Sequence, residues 1–139
     1  MNIKDFESIS LPDGDLLKLI FQKQKELAEK YHDIESKNEG REVPRIGNLD
    51  INSYAGQRRL KDFAWRITEE IAECMLSLKL RAWKQTPQIT DVDHYQEELI
   101  DALHFFVELL LLSGLDAEMT AKLYLQKHEV NKFRQRSNY

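Results

Sequence analysis

Residues 98–114 read ELIDALHFFVELLLLSG, and this stretch decides the fold. Wound as a helix, Leu99, Ile100, Leu103, Phe105, Phe106, Val107 and Leu109 to Leu112 cover nearly the whole circumference, which is the mark of a buried helix. Gly114 fits the left-handed residue that ends such a helix. Upstream, Thr86, Pro87 and Gln88 break the pattern, and Thr90 or Asp91 can cap its start.

Working outward, the same periodicity recurs on both sides. A helix is expected from about Asp15 to Ser36, with Leu17, Ile20, Gln24, Leu27, Tyr31 and Ile34 at alternating steps of three and four, so that Gln24 falls on the apolar stripe. Lys37 to Ile51 holds two glycines and Pro44 and reads as a loop of about twice the usual length, a candidate lid. A second helix is expected from Asn52 or Ser53 to about Trp83, burying Leu60, Phe63, Ile67, Ile71, Cys74 and Leu78. A fourth runs from Asp116 to about Arg136 and buries Met119, Leu123, Val130 and Phe133. β-branched alternation is almost absent, so the expected architecture is all-α: one antiparallel bundle of four helices spanning residues 1–139, completed by a second subunit. A homodimer or homotetramer is expected because the apolar third helix has too few partners in so small a chain.

Composition narrows the function. With 139 residues, 42% hydrophobic and 32% charged, the chain is long enough for one core and too short for two. Its apolar runs fall far short of a membrane span, and the N-terminus has no secretory signal pattern. Cys74 is the sole cysteine and reads as a small core hydrophobe, so a cytoplasmic, disulfide-free setting is expected. A net charge of −4 gives no electrostatic footprint for duplex nucleic acid.

The chemistry sits against the apolar background of the third helix. Glu98, Asp101, His104 and Glu108 form one stripe, since steps of three and four return to the same face. On the second helix Glu70 and Glu73 lie one turn apart, with Arg66 and Ser77 extending the line. Packed antiparallel, the two helices aim four carboxylates into one space. That crowding is tolerable only if cations neutralise it or some groups are protonated, and hard oxygen ligands select magnesium, with manganese as a substitute. Either acidic pair alone is also what an ordinary solvated helix face looks like. The same holds for Lys127, Asn131 and Arg134, which make a cationic strip on the fourth helix.

Together these residues resemble a known family. Glu70-Ile-Ala-Glu73 followed by Glu98-Leu-Ile-Asp101 is similar to the ExxE and ExxD signature of the all-α NTP pyrophosphatase superfamily, which includes MazG-like enzymes, dimeric dUTPases and phage dCTPases. Asp101-Ala-Leu-His104-Phe105 resembles the DxxHF extension of the dimeric dUTPases, and Lys127 to Gln135 resembles their KxxxNxxRQ segment. The QKEL around Gln24 and the pair Trp83-Lys84 match further elements. Ala28 stands where the dimeric dUTPases commonly carry Asn, and Asn138 replaces their usual glycine before the terminal Tyr139.

The resemblance implies hydrolysis of a nucleoside triphosphate, dUTP or dCTP first among them, to the monophosphate and pyrophosphate. Glu70, Glu73, Glu98 and Asp101 would hold magnesium ions that bridge phosphate oxygens and lower the pKa of an attacking water, with Glu73 rather than Glu70 taking its proton. Lys127, Asn131 and Arg134, joined by Lys84 and Tyr139, would stabilise phosphate charge. Gln24, Trp83 and His104 are the candidate base contacts; in turn, Gln24 also suits a register-fixing polar residue, Trp83 a core or interface aromatic, and His104 a satisfied core histidine. A cytoplasm of bacterial or phage-infected type is the implied setting. Two other readings stay open: a broader or purine-directed MazG-like hydrolase, and a non-enzymatic helical partner protein.

Overall fold

The computed structural model describes residues 3–5 and 9–137, which form a short 3-10 turn at Ile3–Asp5 and four α-helices, with no strand among them. Helix α1 spans Leu16–Glu39, α2 Tyr54–Ser77, α3 Val92–Leu112 and α4 Ala117–Arg136. The all-α, four-helix expectation therefore holds. No helix of the described residues is long and apolar enough to cross a membrane.

Each helix starts where a short oxygen-bearing side chain can satisfy free backbone donors. Asp15, Ser53, Asp91 and Asp116 accept hydrogen bonds from backbone N–H groups in the first turns of α1, α2, α3 and α4. The first turn of α2 is unusually tight. A Cβ on Gly56 would stand 1.9 Å from the Asp50 carbonyl oxygen, so only glycine lets the 50–53 turn close onto the helix. At the far end of α3, Gly114 takes φ 85° and Leu115 N–H returns to the Leu110 carbonyl, the left-handed ending expected there.

Two boundaries differ from the sequence reading. Helix α1 runs on to Glu39 before Gly40 ends it in the left-handed region. Helix α2 stops at Ser77, short of Trp83. Its continuation is diverted because the Thr90 hydroxyl accepts the Lys79 N–H, while the Arg81 guanidinium donates to the carbonyls of Leu78 and Leu80. The segment expected as a lid is pinned instead: Val43 is buried, its N–H donates to Ser36 Oγ, Arg45 pairs with Asp33 and Glu42, and Ile46 packs on the core. It covers neither of the acidic cavities described below.

Helices α2 and α3 make the main seam and run antiparallel, with Glu70 beside Asp101 and Phe63 edge-on to Phe105. Phe63 is wholly buried, stacked edge-on against His32 as well and faced by the Arg59 and Arg66 guanidiniums. A second cluster joins Phe21 of α1 to Val107 and Leu111 of α3. The buried line of α1 is Phe21, Gln24, Ala28 and His32, one step round from the expected stripe. Leu17, Ile20, Leu27, Tyr31 and Ile34 are each more than a third exposed. Corrections of the same kind apply elsewhere: Ile71 on α2 and Leu78 just beyond its end, Leu99, Ile100, Leu103 and Phe106 on α3, and Met119, Leu123, Val130 and Phe133 on α4 all stay exposed in the single chain. Helix α4 buries no residue at all.

Candidate metal centre and adjoining cavities

Helical spacing places Glu70 and Glu73 one turn apart on α2, and Glu98 and Asp101 one turn apart on α3. The antiparallel seam then brings the pairs together. Glu70, Glu73 and Glu98 offer carboxylate oxygens that all lie within 4.8 Å of one another, and Asp101 adjoins them on the Glu70 side. Glu98 is the buried member, and its Oε2 has no hydrogen-bond partner among the described residues.

The electrostatics follow from that crowding. Burial first, and then the hydrogen bonds and charges of Glu73 and Glu70, push Glu98 up to about 7. Burial also raises Glu70, aided by the charges of Glu73 and Asp101 against a lowering hydrogen bond from Glu98. Asp101 is raised by burial, opposed by the charge of His104. Such a set fits a hard divalent cation: oxygen donors only, at close range, with one buried acceptor left unsatisfied.

A cavity of about 500 Å³ opens on one side of the carboxylates. Leu27, Tyr31, Ile34 and Phe105 form its apolar wall, and Gln24, Glu108, His104, Arg66 and Glu35 supply its polar points. The exposed stripe of α1 is thus partly a pocket wall, the usual lining of a small-molecule site. Deep in it, Gln24 Nε2 donates to Glu108 Oε2 at 3.2 Å, and His32 Nε2 lies 3.0 Å from Glu108 Oε1. His32 is fully buried and its Nδ1 has no hydrogen-bond partner among the described residues. His104 donates through Nδ1 to the Ile100 carbonyl at 2.8 Å, which leaves Nε2 as an acceptor in the neutral ring. At the rim, burial raises Glu35, yet hydrogen bonds and charges from Arg59 and Arg66 outweigh it and hold the carboxyl below its ordinary range.

A smaller cavity, about 310 Å³, opens on the other side of the carboxylates, bounded by Glu73, Glu98, Ser77, Lys79, Asp91 and His94.

The expected site residues therefore divide. Glu70, Glu73, Glu98, Asp101, Gln24 and His104 come together around one seam. Trp83 and Lys84 lie in the irregular segment after α2, exposed, and border neither acidic cavity. Lys127, Asn131 and Arg134 are exposed on α4 and border neither either, while Tyr139 falls outside the described residues. The sequence alone gives no role to His32, which shows no metal-ligand spacing with the other histidines, nor to Glu35 or Glu108. A signal existed: His32 follows Gln24 and Ala28 at steps of four, on the same face. Comparison with protein-family models, curated proteins and solved structures gives no match to this chain.

Proposed function

We propose that this chain is a magnesium-dependent nucleoside triphosphate pyrophosphohydrolase, acting first on dUTP or dCTP to give the monophosphate and pyrophosphate. The observation that carries the reading is the close carboxylate group of Glu70, Glu73 and Glu98 beside an apolar-walled cavity with a few fixed polar points. A metal-anion chemistry and a nucleoside-sized pocket adjoin, as cleavage next to a nucleoside requires.

These three groups and Asp101 would hold magnesium, or manganese in its place, which would supply neutralisation of phosphate charge and activation of water. The remaining work falls to the chain's own side chains. Glu73 is exposed enough to meet a water and takes its proton. Gln24 is held by Glu108 through its amide nitrogen, and its amide oxygen, without a partner among the described residues, is free to accept from a base edge. His104, whose Nδ1 is held by the Ile100 carbonyl, presents its Nε2 to the cavity, as an acceptor when the ring is neutral and as a donor when it is protonated. The Lys127, Asn131 and Arg134 strip reaches phosphate from a second subunit, since in a single chain it borders neither cavity and the apolar faces of α1, α3 and α4 stand uncovered.

A panel of eight ribo- and deoxyribonucleoside triphosphates, assayed for pyrophosphate release, tests the substrate assignment. Preference for dUTP or dCTP is expected. One observation favours a second reading, a broader MazG-like hydrolase: Ala28 is fully buried and supplies no polar group to the pocket. Equal turnover of purine and pyrimidine nucleotides would select it.

A further inference from the structure

The α2–α3 seam places three compartments in a row. Arg66 and Phe105 border the larger cavity, the Glu70–Asp101 and Glu73–Glu98 levels follow, and Ser77, Lys79 and His94 border the smaller cavity beyond. At the helical rise, Glu70 to Ser77 spans about 10 Å, enough for a triphosphate chain laid along the seam. The smaller cavity is not a simple extension of the acidic cage. The Lys79 ammonium has no carboxylate partner among the described residues, and His94 Nε2 stands 3.5 Å from Glu98 Oε1. The Asp91 carboxylate is turned to its own helix, accepting from the Asp93 and His94 N–H groups, so its charge is partly spent. The positive end of α3, a 21-residue helix, begins at this cavity.

We infer that the smaller cavity holds the diphosphate end of the substrate and the departing pyrophosphate, with Lys79 and His94 as its protein donors. The inference rests on the pyrophosphohydrolase reading and refines it. Hydrolysis adds the elements of water across the α–β anhydride bond. The monophosphate is then left in the larger cavity and pyrophosphate in the smaller one. Lys79 thereby supplies a cation from within the same chain, whose own α4 strip borders neither cavity.

The test is calorimetric titration of the full-length protein with inorganic pyrophosphate in magnesium, for wild type, Lys79→Ala and His94→Asn, alongside triphosphate hydrolysis and manganese binding without pyrophosphate. Losing one charge-assisted contact should weaken pyrophosphate binding by about tenfold or more in Lys79→Ala. Manganese affinity, melting temperature and inhibition by the nucleoside monophosphate should stay at wild-type values in that variant. Wild-type hydrolysis with unchanged pyrophosphate affinity in Lys79→Ala would overturn the inference and leave the enzyme reading intact. Lys79-dependent pyrophosphate binding without hydrolysis of any triphosphate would keep the site and remove the enzyme reading. No pyrophosphate binding by the wild type would overturn the inference.

Discussion

A carboxyl group buried beside two others is most stable when protonated or when a cation joins it, and Glu98 carries that tension. Its folded value of about 7 lies above the ordinary 4.5, so between these pH values the folded chain binds more protons than the unfolded one. The stabilising effect is whole below the lower value and is lost as pH rises through the upper one. In EDTA the melting temperature should fall between pH 5 and pH 7.5, on the order of 5 °C. Magnesium should restore most of that loss at the higher pH, and Glu98→Gln should flatten the profile in differential scanning calorimetry. A wild-type profile already flat in EDTA would contradict the crowding. Gln24 makes a second test at this scale. Gln24→Leu should lower kcat/KM by about tenfold to a hundredfold, mainly through KM. If only the melting temperature moves, Gln24 fixes helix register and reads no base. The acidic residues were legible in the sequence because pairs at i and i+3 must share a face. His32 shares a face with Gln24 and Ala28, but that spacing does not name its partner, and its role emerges only when α1 meets Glu108 of α3.

At the scale of elements, the helix starts were legible because a side-chain oxygen ahead of an apolar period has one obvious use. The ends were less so. Helix α2 continues its pattern past Ser77 in sequence, and what stops it is a hydrogen bond from Lys79 N–H to Thr90, which only the returning chain supplies. The buried side of α1 lies one step round from the expected stripe for a related reason: its apolar residues wall a cavity while polar Gln24 and His32 fill the interior. Gly56 gives the prediction that belongs here. Gly56→Ala must push back the Asp50 carbonyl, a backbone group, and should cost about 1–3 kcal/mol in urea unfolding. An unchanged midpoint would mean that the 50–53 turn yields freely.

For the whole molecule, the all-helical architecture was readable from one apolar helix and its neighbours, but the share of apolar surface left outside was not, since periodicity cannot say whether a partner is intramolecular. Among the described residues, α4 leaves Leu123, Val130 and Phe133 exposed, and α3 leaves Leu99, Leu103 and Phe106 exposed. Uncovered apolar surface of that kind is what a subunit interface would bury. Sedimentation equilibrium should therefore find a dimer or tetramer, and Leu123→Glu with Phe133→Glu should yield monomers with activity reduced at least tenfold. A fully active monomer would place the phosphate contacts within one chain. The claim on which everything else depends is that the Glu70, Glu73 and Glu98 group works with a divalent ion to cleave a triphosphate. Pyrophosphate release from dUTP and dCTP, measured with magnesium and with EDTA for wild type and Glu73→Gln, addresses it directly. Release should require magnesium and fall by two or more orders of magnitude in a variant that still folds. Release indifferent to both magnesium and Glu73, or none across all eight triphosphates, would contradict it and favour a helical partner protein without catalysis.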